Sequence, residues 1–250
     1  MIRIAFVRSG SKGNATLIDS GNVLIQIDMG VTLTNLKLGC EALSRSPQDI
    51  EAVFYTHNHA DHIKNAYMMS RFCPCFASRE TIEDADFELS AGVGEQIGDI
   101  TVIPFSVSHD APDPLNFLIL VGEERFAYIT DTGYLSEENL TFLKDCDYYL
   151  IESNHDIQME RRSRRPRYLK ERVLSDLGHL SNIDSALYMT RLIGPHTKGI
   201  YLGHISDDCN THDIALRTHR ETYEKEGIDW TRYDLRCTSQ SDIVIGGDKK

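Results

Sequence analysis

The sequence predicts an α+β protein, with a core of two β-sheets and helices on the outside. Short apolar or alternating runs, split by Gly-, Ser- and Asn-rich turns, supply the strands. Segments with helical spacing follow those strands in two similar halves. Strict strand–helix alternation, the mark of a single parallel sheet, is missing. The chain has 250 residues and 41% hydrophobic content, enough for one sizeable core. No Pro/Ser-rich linker or short-period repeat divides it, so a single domain over residues 1–250 is expected.

The chain opens with strands over 2–7, 15–18 and 23–27. Ser9-Gly10-Ser11-Lys12-Gly13-Asn14 and Ser20-Gly21-Asn22 separate them as turns. Residues 32–44 have helical spacing, with Leu33, Leu36 and Leu43 on one face. The apolar run 52–55 reads as a buried strand, and 63–72 as a helix. Strands are expected around Phe76 and over 100–107, 117–121 and 126–129, then a short helix over 136–143. Residues 148–152 form an apolar strand with a polar end. Helices over 167–174 and 183–193, a strand over 200–202 and a helix over 210–225 follow, the last capped by Asn210 or Thr211. The tail is mostly strand, with 246–250 frayed.

The net charge is −12, so the chain is no generic nucleic-acid binder, and any such binding needs a local patch. Six cysteines are scattered, and the close pair Cys73-Pro74-Cys75 lacks CxxC spacing. They are expected as reduced thiols. Residues 1–7 read as a strand rather than a secretory signal, and no run approaches a membrane span. A cytoplasmic location is expected.

The chemistry concentrates in Thr56-His57-Asn58-His59-Ala60-Asp61-His62. Three imidazoles and one carboxylate fall within six residues, directly after a buried strand. Such groups are poor core material but good ligands for borderline divalent metals. The turn lets His57 and His59 face one metal while Asp61 and His62 face a second. Four further candidates, His109, Asp131, His179 and His204, sit where strands end or in a polar turn. Strand ends hold side chains rigidly at the rim of a sheet.

The pattern His57-x-His59-x-Asp61-His62, then His109, Asp131 and His204, resembles the metallo-β-lactamase superfamily. Ser9–Asn14, Ser108-His109-Asp110-Ala111, Thr130-Asp131-Thr132-Gly133-Tyr134, Glu152-Ser153-Asn154-His155-Asp156 and Gly178-His179-Leu180-Ser181-Asn182 resemble its YycJ/WalJ (VicX) branch. That branch is related to the tRNA 3′-processing and β-CASP nucleases. The resemblance implies a four-layer αβ/βα sandwich, two mixed sheets packed face to face with helices outside. It also implies a two-metal phosphodiesterase acting on nucleic acid, DNA foremost, as a 5′→3′ exonuclease linked to repair. His57, His59 and His109 would hold one metal, Asp61, His62 and His204 the other, and Asp131 would bridge them. Zinc and manganese both suit this ligand set.

Within that scheme Asp61 orients the attacking water and His179 protonates the leaving oxygen. Glu152 and His155 are candidates to fix a ring tautomer. Ser9–Asn14 is expected as a Gly-rich turn between the first two strands, and its hydroxyls and N–H groups are candidates to line the site floor. His196, His212 and His219 are expected at the surface.

Residues 161–172 carry six Arg and one Lys, the one strongly basic stretch. Arg161, Arg162, Arg164, Arg165 and Arg167 read as a phosphate-tracking patch, with Tyr168 stacking on a base. Only 22 positions separate His109 from Asp131, and 73 separate Asp131 from His204. The first leaves no space for a long exosite arm and the second none for a β-CASP insertion. Leu115-Asn116-Phe117 departs from the family pattern, where a small residue more often precedes the aromatic. The alternative is a small-molecule hydrolase of the same fold, cleaving a lactone, thioester or cyclic phosphodiester. A non-catalytic binding protein would be expected to have lost ligands.

Overall fold

The computed structural model describes residues 1–248 and contains two mixed seven-stranded sheets with helices around them. The first sheet uses β1 (Arg3–Arg8), β2 (Ala15–Asp19), β3 (Leu24–Ile27), β4 (Ile50–Phe54), β5 (Cys75–Ala77), β6 (Phe87–Glu88) and β14 (Val244–Gly247). Their order is β14-β1-β2-β3-β4-β5-β6. The second uses β7 (Glu95–Ile97), β8 (Ile100–Ser106), β9 (Leu115–Val121), β10 (Glu124–Ile129), β11 (Tyr148–Glu152), β12 (Gly199–Gly203) and β13 (Asp234–Cys237), in the order β13-β12-β11-β10-β9-β8-β7. The helices are α1 (Leu33–Ala42), α2 (Ala60–Ile63), α3 (Ala66–Met69), α4 (Glu137–Phe142), α5 (Ile157–Arg162), α6 (Arg167–Val173), α7 (Asn182–Leu192) and α8 (His212–Lys225).

Two compact units are distinguished. The first comprises Met1–Ser106, Ala111–Arg125 and the segment from Thr238 onward. The second comprises Val107–Asp110 and Phe126–Cys237. In the first, α1 covers the sheet with Leu36 and Cys40, packed among Val7, Leu17, Leu24 and Met29. β3 and β4 run parallel, which brings their carboxyl ends together. In the second, β10, β11 and β12 run parallel in close register: Ile129 opposes Ile151, Ile151 opposes Leu202, and Glu152 opposes Gly203. Their carboxyl ends therefore form one row. Ligand sites in α/β structures favour such ends.

Several expectations change. The helix expected over 63–72 is two short helices. The break falls at Asn65, whose N–H bonds to Met29 O (3.0 Å) and whose Nδ2 bonds to Val31 O (2.8 Å). These tertiary bonds compete with helix propagation. The helix expected over 167–174 is present as α6, and a short helix not expected from the sequence, α5, precedes it. Helix α5 is capped by Asp156, whose carboxylate accepts from Gln158 and Met159. Thr211, not Asn210, caps α8: its side chain accepts from Ile214 N, while Asn210 Oδ1 accepts from Asn182 Nδ2 (2.9 Å) and Thr211 N (2.9 Å). Gly246 and Gly247 are not frayed but pair with Ile4 and Arg3. Residues 249 and 250 lie outside the described residues. His219 is fully buried rather than at the surface. No helix among the described residues is long and apolar enough to cross a membrane, and the six cysteines are free thiols.

Candidate functional site

In the first unit the chemistry-bearing groups sit where β3 and β4 end. Asp28 follows β3 with φ +59°, in the left-handed region that non-glycine residues seldom occupy. Its buried carboxylate accepts from Thr56 N (2.9 Å), Thr56 Oγ1 (3.0 Å) and His62 Nδ1 (2.8 Å). Burial raises the Asp28 carboxyl above its ordinary range, against the pull of His62 and Thr56. With Asp28 Oδ2 facing Nδ1 and the Asn14 amide nitrogen 3.0 Å from Nε2, the ring proton of His62 is assigned to Nδ1, and Nε2 carries the lone pair. Thr56 Oγ1 also lies 3.0 Å from His57 Nδ1. The rings of His57 and His62 are 4.1 Å apart, and those of His57 and His59 are 4.6 Å apart.

Asn14 reaches the same place. Its Nδ2 lies 3.1 Å from Asp61 Oδ2 and 3.0 Å from His62 Nε2, while its Oδ1 accepts from Gly10 N (2.8 Å). The Ser9–Asn14 turn thus delivers one amide to the Asp61–His62 edge. Gly30 explains how that edge closes. A Cβ there would stand 1.6 Å from the carbonyl oxygen of Asp61, so only glycine admits this approach.

In the second unit Asp131, Glu152, His179 and His204 bring one ligand atom each to within 4.8 Å of one another. Asp131 (φ +50°) and His204 (φ +51°) both hold left-handed backbone. Strain of this kind persists where surrounding structure over-determines it, and it clusters at functional sites. Glu152 is fully buried. Its Oε1 lies 2.7 Å from His179 Nδ1 and 2.9 Å from His204 Nδ1, and its Oε2 accepts from Thr132 N and Leu180 N. Burial would push this carboxyl up, but His179 and His204 overcome it and hold it well below the usual carboxylate range. Both rings therefore carry their proton on Nδ1 and offer Nε2. A carboxylate that orients an imidazole in this way is the usual support for a metal ligand. The donor set fits divalent cations: imidazole Nε2 atoms with pinned Nδ1 protons, plus carboxylates on fixed backbone.

His109 is buried, with Nδ1 3.1 Å from Gly178 O and Nε2 3.4 Å from Asp110 Oδ1. Its ring is 5.2 Å from that of His179. His155 is buried and its imidazole is pushed down by burial, but its Nδ1 has no hydrogen-bond partner. No hydrogen bond joins it to Glu152 or His179. Arg161, Arg162, Arg164 and Arg167 are exposed on or beside α5 and α6, and Tyr168 is 72% exposed. Arg165 differs. It pairs with buried Glu160 (3.0 Å) and with Asp208 (3.1 Å), and it bonds Ser206 Oγ (3.2 Å).

Sequence reasoning missed Asp28, Asp110 and Asn154. Asn154 donates from Nδ2 to His204 O (2.8 Å). Asp28 had a readable signal: an Asp directly after an apolar run, as at Asp131.

Residues 26–205 match the family model described as Beta-lactamase superfamily domain. The chain belongs to the beta-lactamase superfamily. Within the superfamily it is similar to Exodeoxyribonuclease WalJ of Streptococcus pneumoniae (serotype 2, strain D39), 32% identical over 253 residues and 93% of each chain. It is equally similar to Exodeoxyribonuclease YycJ of Bacillus anthracis, 32% identical over 240 residues and 91% of each chain. Among solved structures, the metallo-β-lactamase fold protein YhfI from Bacillus subtilis aligns with a TM-score of 0.74. Identity there is 14%, covering 98% of this chain and 99% of that one. The superfamily's fold, expected from the histidine motif, is the fold of this chain.

Proposed function

We propose that this protein is a metal-dependent phosphodiesterase that degrades DNA from an end. The observation that carries this is the 32% identity, over more than nine-tenths of the chain, to two exodeoxyribonucleases. The 5′→3′ polarity, a role in repair, a cytoplasmic setting and a single 1–250 domain belong to the same reading.

His57, His59 and His109 would hold one divalent cation, and Asp61, His62 and His204 a second, with Asp131 shared between them. Zn²⁺ and Mn²⁺ both suit imidazole and carboxylate donors. The bound cations supply Lewis acidity toward the phosphoryl oxygens. The remaining steps belong to the chain. Asp61, steadied by the Asn14 amide, orients the attacking water. Glu152 fixes the Nδ1 edge of His179, which leaves Nε2 as the atom that would hand a proton to the leaving oxygen. Exposed Arg161, Arg162, Arg164 and Arg167, with Tyr168, would track the backbone and stack on a base. Arg165 is set apart from them by its ion pairs with Glu160 and Asp208. His155 is left as a packing residue.

The test uses chelator-stripped protein reloaded with Mn²⁺ or Zn²⁺. Its substrates are linear duplex DNA, single-stranded DNA, bis(p-nitrophenyl) phosphate and a panel of lactones. End-wise, metal-dependent shortening of DNA is expected. Intact DNA alongside rapid lactone turnover would replace this reading with the small-molecule hydrolase.

A further inference from the structure

Arg172 closes the basic stretch on α6 and differs from exposed Arg161, Arg162 and Arg164; Arg167 is tied to Glu171 of its own helix (2.6 Å), whereas Arg172 reaches a residue beside His109. Its guanidinium grips Asp110 along one edge: Nε meets Oδ2, and Nη2 lies 2.9 Å from Oδ1. The same Oδ1 is 3.4 Å from His109 Nε2, the nitrogen left when Nδ1 turns to Gly178 O. A cation on α6 is thus held one carboxylate away from the ligand nitrogen of His109. Its side chain nonetheless remains 42% exposed.

The mount is rigid. Ser108 Oγ donates to Asp176 O (2.7 Å), and Gly133 N donates to Ser108 O (2.9 Å). Gly133 lies so close to Asp176 that a Cβ would stand 2.1 Å from its carbonyl oxygen. The segments bearing His109, Asp131 and Arg172 are therefore locked together within the second unit. Arg161, Arg162 and Arg164 have no such anchor. A flexible surface arginine loses rotamer freedom when it binds, whereas a clasped one has lost it already. Arginine also presents a planar fork with five N–H donors, of which the Asp110 carboxylate takes the Nε/Nη2 edge.

We infer that Arg172 binds the phosphate adjacent to the one being cleaved. This corner of the second unit is then a phosphate subsite for a polynucleotide, with Asp110 as the residue that positions the guanidinium. The inference rests on the nucleic-acid reading above. It separates one preorganised contact beside the chemistry from a diffuse basic arm further along the strand.

The experiment compares two single-stranded oligonucleotides with the metal-loaded protein. One is unmodified, and the other has a neutral methylphosphonate one linkage inward from the terminal bond. The wild-type protein is expected to prefer the charged substrate by about thirtyfold in kcat/KM, the scale of a charge-assisted hydrogen-bonded contact. In Arg172→Gln that preference should collapse to near unity. Arg172→Lys, which keeps the charge but not the fork, should fall between. Should Arg172→Gln not fold, the lysine variant decides alone. A variant that loses rate on both substrates yet keeps the wild-type preference overturns the inference, as does a wild-type protein with no preference. A wild-type protein that hydrolyses bis(p-nitrophenyl) phosphate but leaves both oligonucleotides intact overturns the exonuclease reading instead.

Discussion

Glu152 Oε1 accepts from His204 Nδ1 at 2.9 Å, and the same oxygen takes His179 Nδ1 at 2.7 Å. One buried carboxylate thus sets the orientation of two rings from two different segments. Glu152→Gln keeps the volume but places an amide where an anion stood. Supports of this type are worth about 10–100-fold in metal affinity or activity. Metal titration of the stripped variant should show a loss in that range with the fold intact by circular dichroism. Unchanged affinity would remove Glu152 from the site.

Of the glycines in the first unit, Gly30 is the one where an added Cβ would come nearest to another backbone, 1.6 Å from the Asp61 carbonyl oxygen. Gly30→Ala drives a methyl into the Asp61 carbonyl, which must move with its side chain. Overpacking of this kind costs about 1–3 kcal/mol. Urea unfolding should report that loss, and activity should fall with it because Asp61 is displaced. Wild-type stability and activity together would mean that the Gly30–Asp61 contact is looser than described.

His219 carries a pH prediction. It is fully buried, its ring faces the uncharged hydroxyls of Tyr223 (3.0 Å) and Ser153 (3.4 Å), and burial pushes its imidazole down to about 3. The unfolded chain titrates this ring near ~6.5, so between the two values the unfolded state binds the extra proton. The stabilising contribution is complete above ~6.5 and is lost as pH falls toward the folded value, at about 1.4 kcal/mol per pH unit. From pH 7 to pH 5 the wild-type protein should therefore lose about 2 kcal/mol relative to His219→Gln. Parallel urea-derived stabilities for the two proteins would contradict this.

Within the basic stretch, Arg161, Arg162 and Arg164 stand apart from ion-paired Arg165. Replacing Arg161, Arg162 and Arg164 together by Gln should leave the unfolding free energy within about 0.5 kcal/mol, since all three are exposed. DNA affinity should weaken, and the slope of log K against log salt should shrink by about 2. Arg165→Gln should do the reverse. It strands the buried Glu160 carboxylate and should cost about 3 kcal/mol of stability, the low end for a broken buried pair because Arg165 is 22% exposed. A salt slope unmoved by the triple substitution would show that this arm does not meet the backbone.

The sequence alone determined the strand runs, the histidine turn after β4 and the superfamily. These are local signals: apolar alternation specifies strands, and imidazoles packed beside a carboxylate have few structural uses. It also marked Asp131 and His204 as strand-end residues, because an isolated polar group after a buried run stands out. Tertiary structure decided the rest. Asp28 acquires its role, and Glu152, already a candidate, acquires both its partners His179 and His204, only when parallel strands align their carboxyl ends in register. Arg165 and His219 look like surface groups until Glu160 and the packing around α8 enclose them. Burial and register depend on partners distant in the chain, and no window of local sequence contains them.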